Sequence, residues 1–538
     1  MATSWPNRRA RPSASVRLSI VGSQGYNPVW MARRKTPLKA IEPVAGPGPS
    51  VPQACVIGAG IGGLALAIRL QAAGLQTVLV EAREAPGGLV RSWERDGFTF
   101  EGGPAAISDP AAFRELWSLT GEDMADAVPL HEVAPAWRCS WPDGAVLDLP
   151  PDPAQLARIA PEDVAGFADF AEWCSTSRID GWQRLAEQAQ GKLRSAFDAL
   201  APIARHQGWR SAAGLAGHLV KSDRLREALA FQTLLSGANP YKTSALNLLG
   251  QIPAGLGPVW WPEGGMGRMV TALAARFQQL GGEIRLHDPV IRVHTVGNRV
   301  TEIECASGWR CAVRLAASNA DAVHTYRDLL RDTQRGPAMA RKLTDRQFSP
   351  SAFTVHFALE GTWPGIPHRT VLFGPRFAGL LEDIFTHGVL PQDLMILLAH
   401  PSVTDHSLAP PGKSVFSATV PVANLGKLPI DWDTVGPVLQ RRVLKEIGRR
   451  LVPDIQDRIV TAFHTTPRDL ALDFNAWAGA GWSLELSPRQ SGPLRPHHRD
   501  GKFANLYLVG AGTHPGAGLA AVLAGAKATA RLMVEQKT

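Results

Sequence analysis

Apolar and polar positions fall into three kinds of pattern along this chain. Near its start, the short apolar run Cys55–Ile57 leads into Gly58, Gly60 and Gly63, an amphipathic run to Ala73, a break at Gly74, and a second apolar run over Thr77–Val80 closed by Glu81. That order predicts strand, tight turn, helix, strand. At the far end, Leu506–Val509 runs into Gly510, Gly512, Gly516 and Gly518, and then into a helical run through Lys527. Between them, Asp152–Arg226 is rich in Ala, Leu, Glu, Arg and Gln at helical spacing, which predicts a helical insertion. Within it Val164, Phe167, Phe170 and Trp173 recur every three positions, on or near one helix face, and predict a core stripe, with a substrate-lining wall as the alternative.

Met269, Leu273 and Phe277 mark a further helix after the turn Gly264–Gly265, and alternating runs on either side of Gly297–Asn298 read as paired strands. Phe353–Leu359, Thr370–Phe373, Leu394–Ala399 and Val415–Val420 are strand candidates broken by Pro- and Gly-containing turns, the composition of an antiparallel sheet. Leu439–Leu451 predicts a helix ended by Val452–Pro453.

The glycine spacing after the first strand has a physical meaning. The first glycine lets the chain reverse, the second lets backbone approach a pyrophosphate, and the third lets the helix pack on the strand. The pyrophosphate then faces the unpaired N–H groups and positive dipole end of the helix. Glu81 stands where a ribose hydroxyl is gripped. This stretch alone predicts a dinucleotide and leaves FAD and NAD both open. Two other features also carry two readings: Gly87–Gly88 as a hairpin turn or a close approach to cofactor, and Trp260–Trp261 as the lining of an apolar site or a plug at a domain boundary. The far glycine loop is followed by no acid, so it predicts the other side of the same domain rather than a second nucleotide site.

A length of 538 residues predicts two to four domains sharing discontinuous segments. Lys and Arg exceed Asp and Glu by eight, but residues 1–50 hold eight basic residues against Glu42 alone. The remaining chain is nearly neutral, so the charge does not argue for nucleic acid. That basic stretch lacks the apolar run of a secretory signal. It reads as an over-long start, with Met31 as a second candidate, or as a basic leader that touches a membrane. Five cysteines, Cys55, Cys139, Cys174, Cys305 and Cys311, have no C-x-x-C spacing and predict buried thiols, with no disulfide frame and no metal. Arg69 and Lys527 interrupt the most apolar helical runs, so no spanning helix is expected.

Several segments are more specific than a nucleotide fold requires: APGGLVRS, GFTFEGGPAAISDP, SNADAVHTYRDLL, HPSVTDHSLAPPG, RPHHRD and NLYLVGAGTHPGAG. With VIGAGIGGLALAIRLQAAG they resemble the bacterial-type phytoene desaturases, carotenoid-forming members of the FAD-dependent amine-oxidase-like flavoproteins, over roughly Cys55 to Glu535. Two positions depart from that pattern. Leu89 follows Gly88 where the family reads Arg, with Arg91 the nearest substitute cation, and Leu519–Ala520 follows Gly518 where the family reads Ile-Pro.

The resemblance implies an α/β fold: a Rossmann-like FAD-binding domain assembled from discontinuous segments, with a mixed or antiparallel-sheet substrate domain and a helical insertion. Its plan is a tail or leader at 1–50, FAD-binding segments at 51–150, 241–335 and 500–538, a helical, membrane-facing lid at 151–240, and a substrate domain at 336–499. It implies FAD held by Gly58, Gly60, Gly63, Glu81, Arg83, Gly87, Gly88, Arg91, Val290, Gly510, Gly512, Thr513 and Gly518, with a strand Ile284–Val290 near the adenine. It implies successive desaturation of a long phytoene-like polyene, with quinone or oxygen as electron acceptor, in a cytoplasmic protein in peripheral membrane contact. Asp321 and Arg327 are expected to fix a domain junction. Positive charge developing on an allylic carbon is delocalised, so no strong base is required. His514 and Asp405 are the candidates for moving a proton, with turn shaping as the alternative role of His514. The rival readings are a later-step desaturase or carotenoid isomerase, and a non-catalytic flavin- or prenyl-lipid-binding protein.

Overall fold

The computed structural model describes residues 53–188 and 200–536, so the basic stretch expected at 1–50 lies outside the described residues. Ala54–Ile57 and Thr77–Val80 form as strands on either side of the helix Ile61–Ala72, within a residue of the predicted bounds. Both strands are wholly buried, as continuous apolar runs in a parallel sheet are. Five strands make this sheet in the order Leu506–Leu508, Leu315–Ser318, Ala54–Ile57, Thr77–Val80, Glu283–Arg285. Every pairing is parallel. The two chain ends therefore meet in one sheet, joined through Leu315–Ser318.

The single strand expected over Ile284–Val290 does not form. Glu283–Arg285 belongs to the parallel sheet and Val290–Val296 to a separate antiparallel sheet with Arg299–Cys305 and Arg310–Ala312. The chain leaves the first sheet at His287, which adopts φ +56°. The His287 N–H donates to Arg83 O, the Asp288 N–H donates to Glu81 O, and Pro289 has no N–H to continue a ladder.

A second sheet of seven strands runs Ile459–Thr465, Ser351–Glu360, Lys413–Val422, Ile396–Ala399, Arg369–Leu372, Trp137–Ser140, Val146–Leu149. It contains all four strands expected between residues 350 and 422. It is mixed, because Trp137–Ser140 runs parallel to Arg369–Leu372 while its other pairings are antiparallel. Trp137–Ser140 and Val146–Leu149 lie within 51–150 in sequence but join this sheet, through the pairing of Trp137–Ser140 with Arg369–Leu372.

Helices Pro153–Ile159, Val164–Ser177, Ala212–Leu219 and Asp223–Ala230 form the insertion. The stripe on Val164–Ser177 is only half as expected: Phe170 and Trp173 are buried, whereas Val164 is 45% exposed. A step of three falls about 60° short of a turn, so over three steps the stripe rotates by about half a turn away from where it began. Trp261 is fully buried in the strand Val259–Pro262 with its ring centroid 4.7 Å from that of His368, whereas Trp260 is part-buried. All five cysteines are buried and free. Among the described residues there is no group of side chains able to hold a metal ion, and no helix is long and apolar enough to cross a membrane.

The helix Met266–Gln279 buries Met269, Leu273 and Phe277 against the core shared with Ile61–Ala72. It starts at Gly265, whose φ of +90° suits glycine and where a Cβ would overlap the Glu101 carboxylate. Glu101 is 6% exposed, and neither oxygen of its carboxylate has a hydrogen-bond partner among the described residues. Burial lifts its carboxyl to about 8, against the opposing pull of the Gly267 and Met266 N–H groups, with neighbouring Asp405 adding to the rise.

Between the ordinary carboxyl value and about 8, the folded chain holds a proton at Glu101 that the unfolded chain has lost. Its contribution to stability is therefore lost as pH rises through that window. Glu101→Gln is expected to flatten the decline by up to ~1.4 kcal/mol per pH unit. Denaturant melts from pH 5 to 8 measure this, and equal slopes for the two proteins would refute it.

Candidate cofactor-binding site

In a parallel sheet all strand C-termini lie along one edge, and ligands bind in the crevice where connections leave in opposite directions. Here that edge carries both glycine loops. Gly58 has φ +95° and its N–H donates to Val80 O. A Cβ on Gly63 would overlap Gly58 O, so the third glycine lets the helix start directly over the turn. Gly60 is the N-cap of Ile61–Ala72 with no side chain capping the helix. Its first-turn N–H groups, which have no partner within the helix, and its positive dipole end thus face the crevice.

Gly87 and Gly88 lie against this loop. The Gly87 N–H donates to Ala59 O, Gly87 bridges Gly60, and a Cβ on Gly88 would sit 3.2 Å from Gly60 Cα. The pair is therefore a close backbone contact as well as a turn. Glu81 is 7% exposed and accepts from the Ala59 N–H at 2.7 Å and the Arg83 N–H at 3.1 Å, which aims its carboxylate along the back of the loop. The Arg83 Nη2 donates to Gly88 O, and its guanidinium lies 4.1 Å from the Phe474 ring centre. Arg91 pairs with Asp473 at 3.3 Å and stacks on Trp93, so this cation already has a carboxylate partner. Leu89 is 41% exposed beside it. Val290 stands outside the parallel sheet, at the start of the antiparallel one.

At the other loop, Gly510 has φ +101°, and Gly518, with φ +105°, is the uncapped start of the helix Leu519–Glu535. Thr513 spends its hydroxyl on Gly510 O at 2.9 Å. Gly512 packs against Ala322. The two helices Ile61–Ala72 and Leu519–Glu535 lie side by side, with Val522 against the bare face of Gly62. Ala520 and Ala521 share an apolar cluster with Trp182, Phe231 and Leu249. A small cleft there is lined by Trp182, Gly250, Gln251, Leu486, Pro515 and Ala517.

The proton-transfer candidates have other partners. His514 is 6% exposed and donates from Nε2 to Leu185 O at 2.7 Å, and burial pushes its imidazole down to about 4. It is a neutral ring tying the glycine loop to the helical insertion. Asp405 accepts from the Gly264 N–H at 2.7 Å and from Ser407, and so pins two turns together.

Arg495, in RPHHRD, was missed at the sequence level because its partners are all main-chain carbonyls, which leave no sequence signal. It is 1% exposed and donates to Ala511 O (2.7 Å), Thr513 O (2.9 Å), Leu484 O (3.0 Å), Gln490 O (3.4 Å) and Glu485 O (3.5 Å). It makes no ion pair among the described residues. One guanidinium thus fixes the second glycine loop, and burial lowers its proton affinity to about 9.

Two uncapped helix starts, a loop where backbone approaches backbone, and an acid behind it fit an anionic dinucleotide. This defines a dinucleotide-binding α/β protein with a second, mixed sheet. A match to the family described as flavin containing amine oxidoreductase spans residues 61–533. The chain is 40% identical over 490 residues to a phytoene desaturase (lycopene-forming) of a Paracoccus species, covering 90% of this chain and 98% of the relative. It is 39% identical to the enzyme of the same description from Pantoea ananas, covering 89% and 98%, and 34% identical to a neurosporene-forming phytoene desaturase of Cereibacter sphaeroides, covering 91% and 96%. Among solved structures, an oxidoreductase from Methanosarcina mazei aligns with TM-score 0.59 at 16% identity, covering 88% of this chain and 98% of its own. Cyclohexylamine oxidase from Brevibacterium oxydans aligns with TM-score 0.57 at 16% identity, covering 91% and 100%. The chain belongs to the flavin containing amine oxidoreductase family and, within it, to the bacterial-type phytoene desaturases. Its cofactor is FAD.

Lysine offers three donors in place of the five-donor guanidinium fork. Arg495→Lys is expected to leave loop carbonyls unpaired and to weaken FAD binding about tenfold, for a loss of order 1–2 kcal/mol. Fluorescence titration of the flavin-free protein with FAD measures this, and unchanged affinity would remove Arg495 from the site.

Proposed function

We propose that this chain is an FAD-dependent phytoene desaturase that introduces double bonds in succession into a long polyene. The carrying observation is 39–40% identity over about nine-tenths of the chain to relatives named as lycopene-forming phytoene desaturases, together with a nucleotide cradle built from both chain ends. In this reading the domain plan is the discontinuous one, with Trp137–Leu149 exchanged into the substrate sheet.

Gly58, Gly60 and Gly63 with the Ile61 helix start receive the diphosphate, while Glu81 takes the adenosine ribose. Gly87 and Gly88, held by Arg83, close over it, and Arg91 and Val290 flank the nucleotide end. Gly510, Gly512, Thr513 and Gly518 approach the flavin end. Bound there, FAD supplies the hydride acceptor for an allylic C–H bond. The chain orients that bond and keeps water out: the apolar cluster of Ala520, Ala521, Trp182 and Phe231 lies directly at the start of the closing helix. The neighbouring carbon loses a proton without a dedicated base, since the polyene spreads the developing charge. His514 and Asp405 then serve as supports of the loops they tie.

A quinone or oxygen takes the electrons, and the insoluble substrate is drawn from a bilayer by a cytoplasmic, peripherally bound protein. Expression in a host that accumulates phytoene is expected to yield coloured, longer-conjugated products. Their chromophore length separates lycopene-forming from neurosporene-forming outcomes. Unchanged phytoene from an FAD-loaded protein would favour the non-catalytic binding reading, and isomers without added double bonds the isomerase. Flotation with anionic liposomes is expected to carry the protein upward. Absence of flotation, with and without residues 1–50, would rule out the membrane contact.

A further inference from the structure

Asn319, the residue after the strand Leu315–Ser318, stands between the two glycine loops. Its N–H donates to Ile57 O at 2.7 Å, which fixes it against the first strand. Its side chain explains why several neighbours have no Cβ. A Cβ on Gly60 would lie 2.7 Å from Asn319 Nδ2, and one on Gly62 or Gly510 would lie 2.6 or 2.7 Å from Asn319 Oδ1. Both loops have therefore been cleared of side chains around one carboxamide.

That carboxamide has two donor hydrogens and an acceptor oxygen. No hydrogen bond to it is formed by any described residue, although the buried amides of Asn424 and Asn505 are each bonded to main-chain groups. Asn319 itself is only half-buried. Its nitrogen lies beside Gly60, the glycine at which the chain approaches a pyrophosphate. A neutral donor at this point suits an anion already met by a helix start, whereas a carboxylate would repel it.

We infer that Asn319 is a direct ligand-binding residue that donates from Nδ2 to the diphosphate of the cofactor. This rests on the FAD reading above and adds a contact to it. Losing a hydrogen bond to a charged group predicts a ten- to hundredfold weaker affinity in Asn319→Ala. Asn319→Asp, nearly the same shape, is expected to bind more weakly still, with a deficit that shrinks as salt is raised.

The experiment titrates flavin-free wild type, Asn319→Ala and Asn319→Asp with FAD, ADP and adenosine, following fluorescence or heat. The expected result is a parallel loss for FAD and ADP in both variants, with adenosine unaffected. Affinity of Asn319→Ala within twofold of wild type overturns the inference. So does an Asp variant that binds as tightly as wild type, since that marks a spacer filling the gap between glycines. An equal loss for adenosine overturns the diphosphate assignment. If Asn319→Ala fails to fold, as judged by its thermal melt without ligand, the isosteric Asp variant and its salt dependence decide. A wild type that binds no FAD rejects the underlying reading instead.

Discussion

The structure depends on completing a parallel sheet around Ala54–Ile57. Parallel neighbours cannot be supplied by a hairpin, so each must return through a long crossover. Here one edge is completed by Leu315–Ser318 and then by Leu506–Leu508, from the far end of the chain. Because the strands are parallel, their exits share one edge, and the two glycine loops are forced together. The helices that follow them then pack on each other through Gly62 and Val522. The cofactor crevice is a consequence of that closure and does not exist in either end alone.

The closure is locked by contacts between segments that look unrelated in sequence. Tyr326, in HTYRDLL, donates to Asp500, in RPHHRD, at 2.6 Å, and Arg335 pairs with the same oxygen at 3.0 Å. The other Asp500 oxygen accepts from the Lys502 and Phe503 N–H groups. Burial alone would raise this carboxyl, but the donors from Tyr326, Phe503, Lys502 and Arg335 outweigh it and hold it below its usual range. Asp321 accepts from the Val323 and His324 N–H groups and Arg327 pairs with Asp328, so both side chains make local contacts just after the strand Leu315–Ser318, and the Arg327 guanidinium lies 5.1 Å from the Trp477 ring centre.

Sequence periodicity shows what is local. Ala54–Ile57, Ile61–Ala72, Thr77–Val80 and Leu519–Glu535 were legible because apolar runs, glycines and helical spacing each reflect neighbours in the chain. The Ile284–Val290 strand was misjudged because the exit of the chain at His287 is set by main-chain bonds to Arg83 and Glu81, about two hundred residues away. The exchange of Trp137–Ser140 into the larger sheet is invisible for the same reason: its partner, Arg369–Leu372, is remote. Arg495 and Asn319 were missed because the guanidinium of one bonds only carbonyls and the carboxamide of the other bonds no described group, and neither pattern leaves a mark in residue spacing.

The interior also constrains what chemistry it can perform. Burial pushes His356, His368 and His498 to about 3 and His400 and His514 to about 4, so the deep imidazoles are neutral at physiological pH. Each spends a nitrogen on a hydroxyl or a carbonyl. Arg495, at the closing loop, is a buried cation without an ion pair among the described residues, and Arg369 is another, 3.8 Å from the Trp137 ring centre. Imidazoles held this far below neutrality are weak bases, whereas general-base chemistry needs a group poised near neutral pH. Arg495, fixed on the carbonyls of the Gly510–Gly518 loop, would favour the electron-rich form of a flavin bound there.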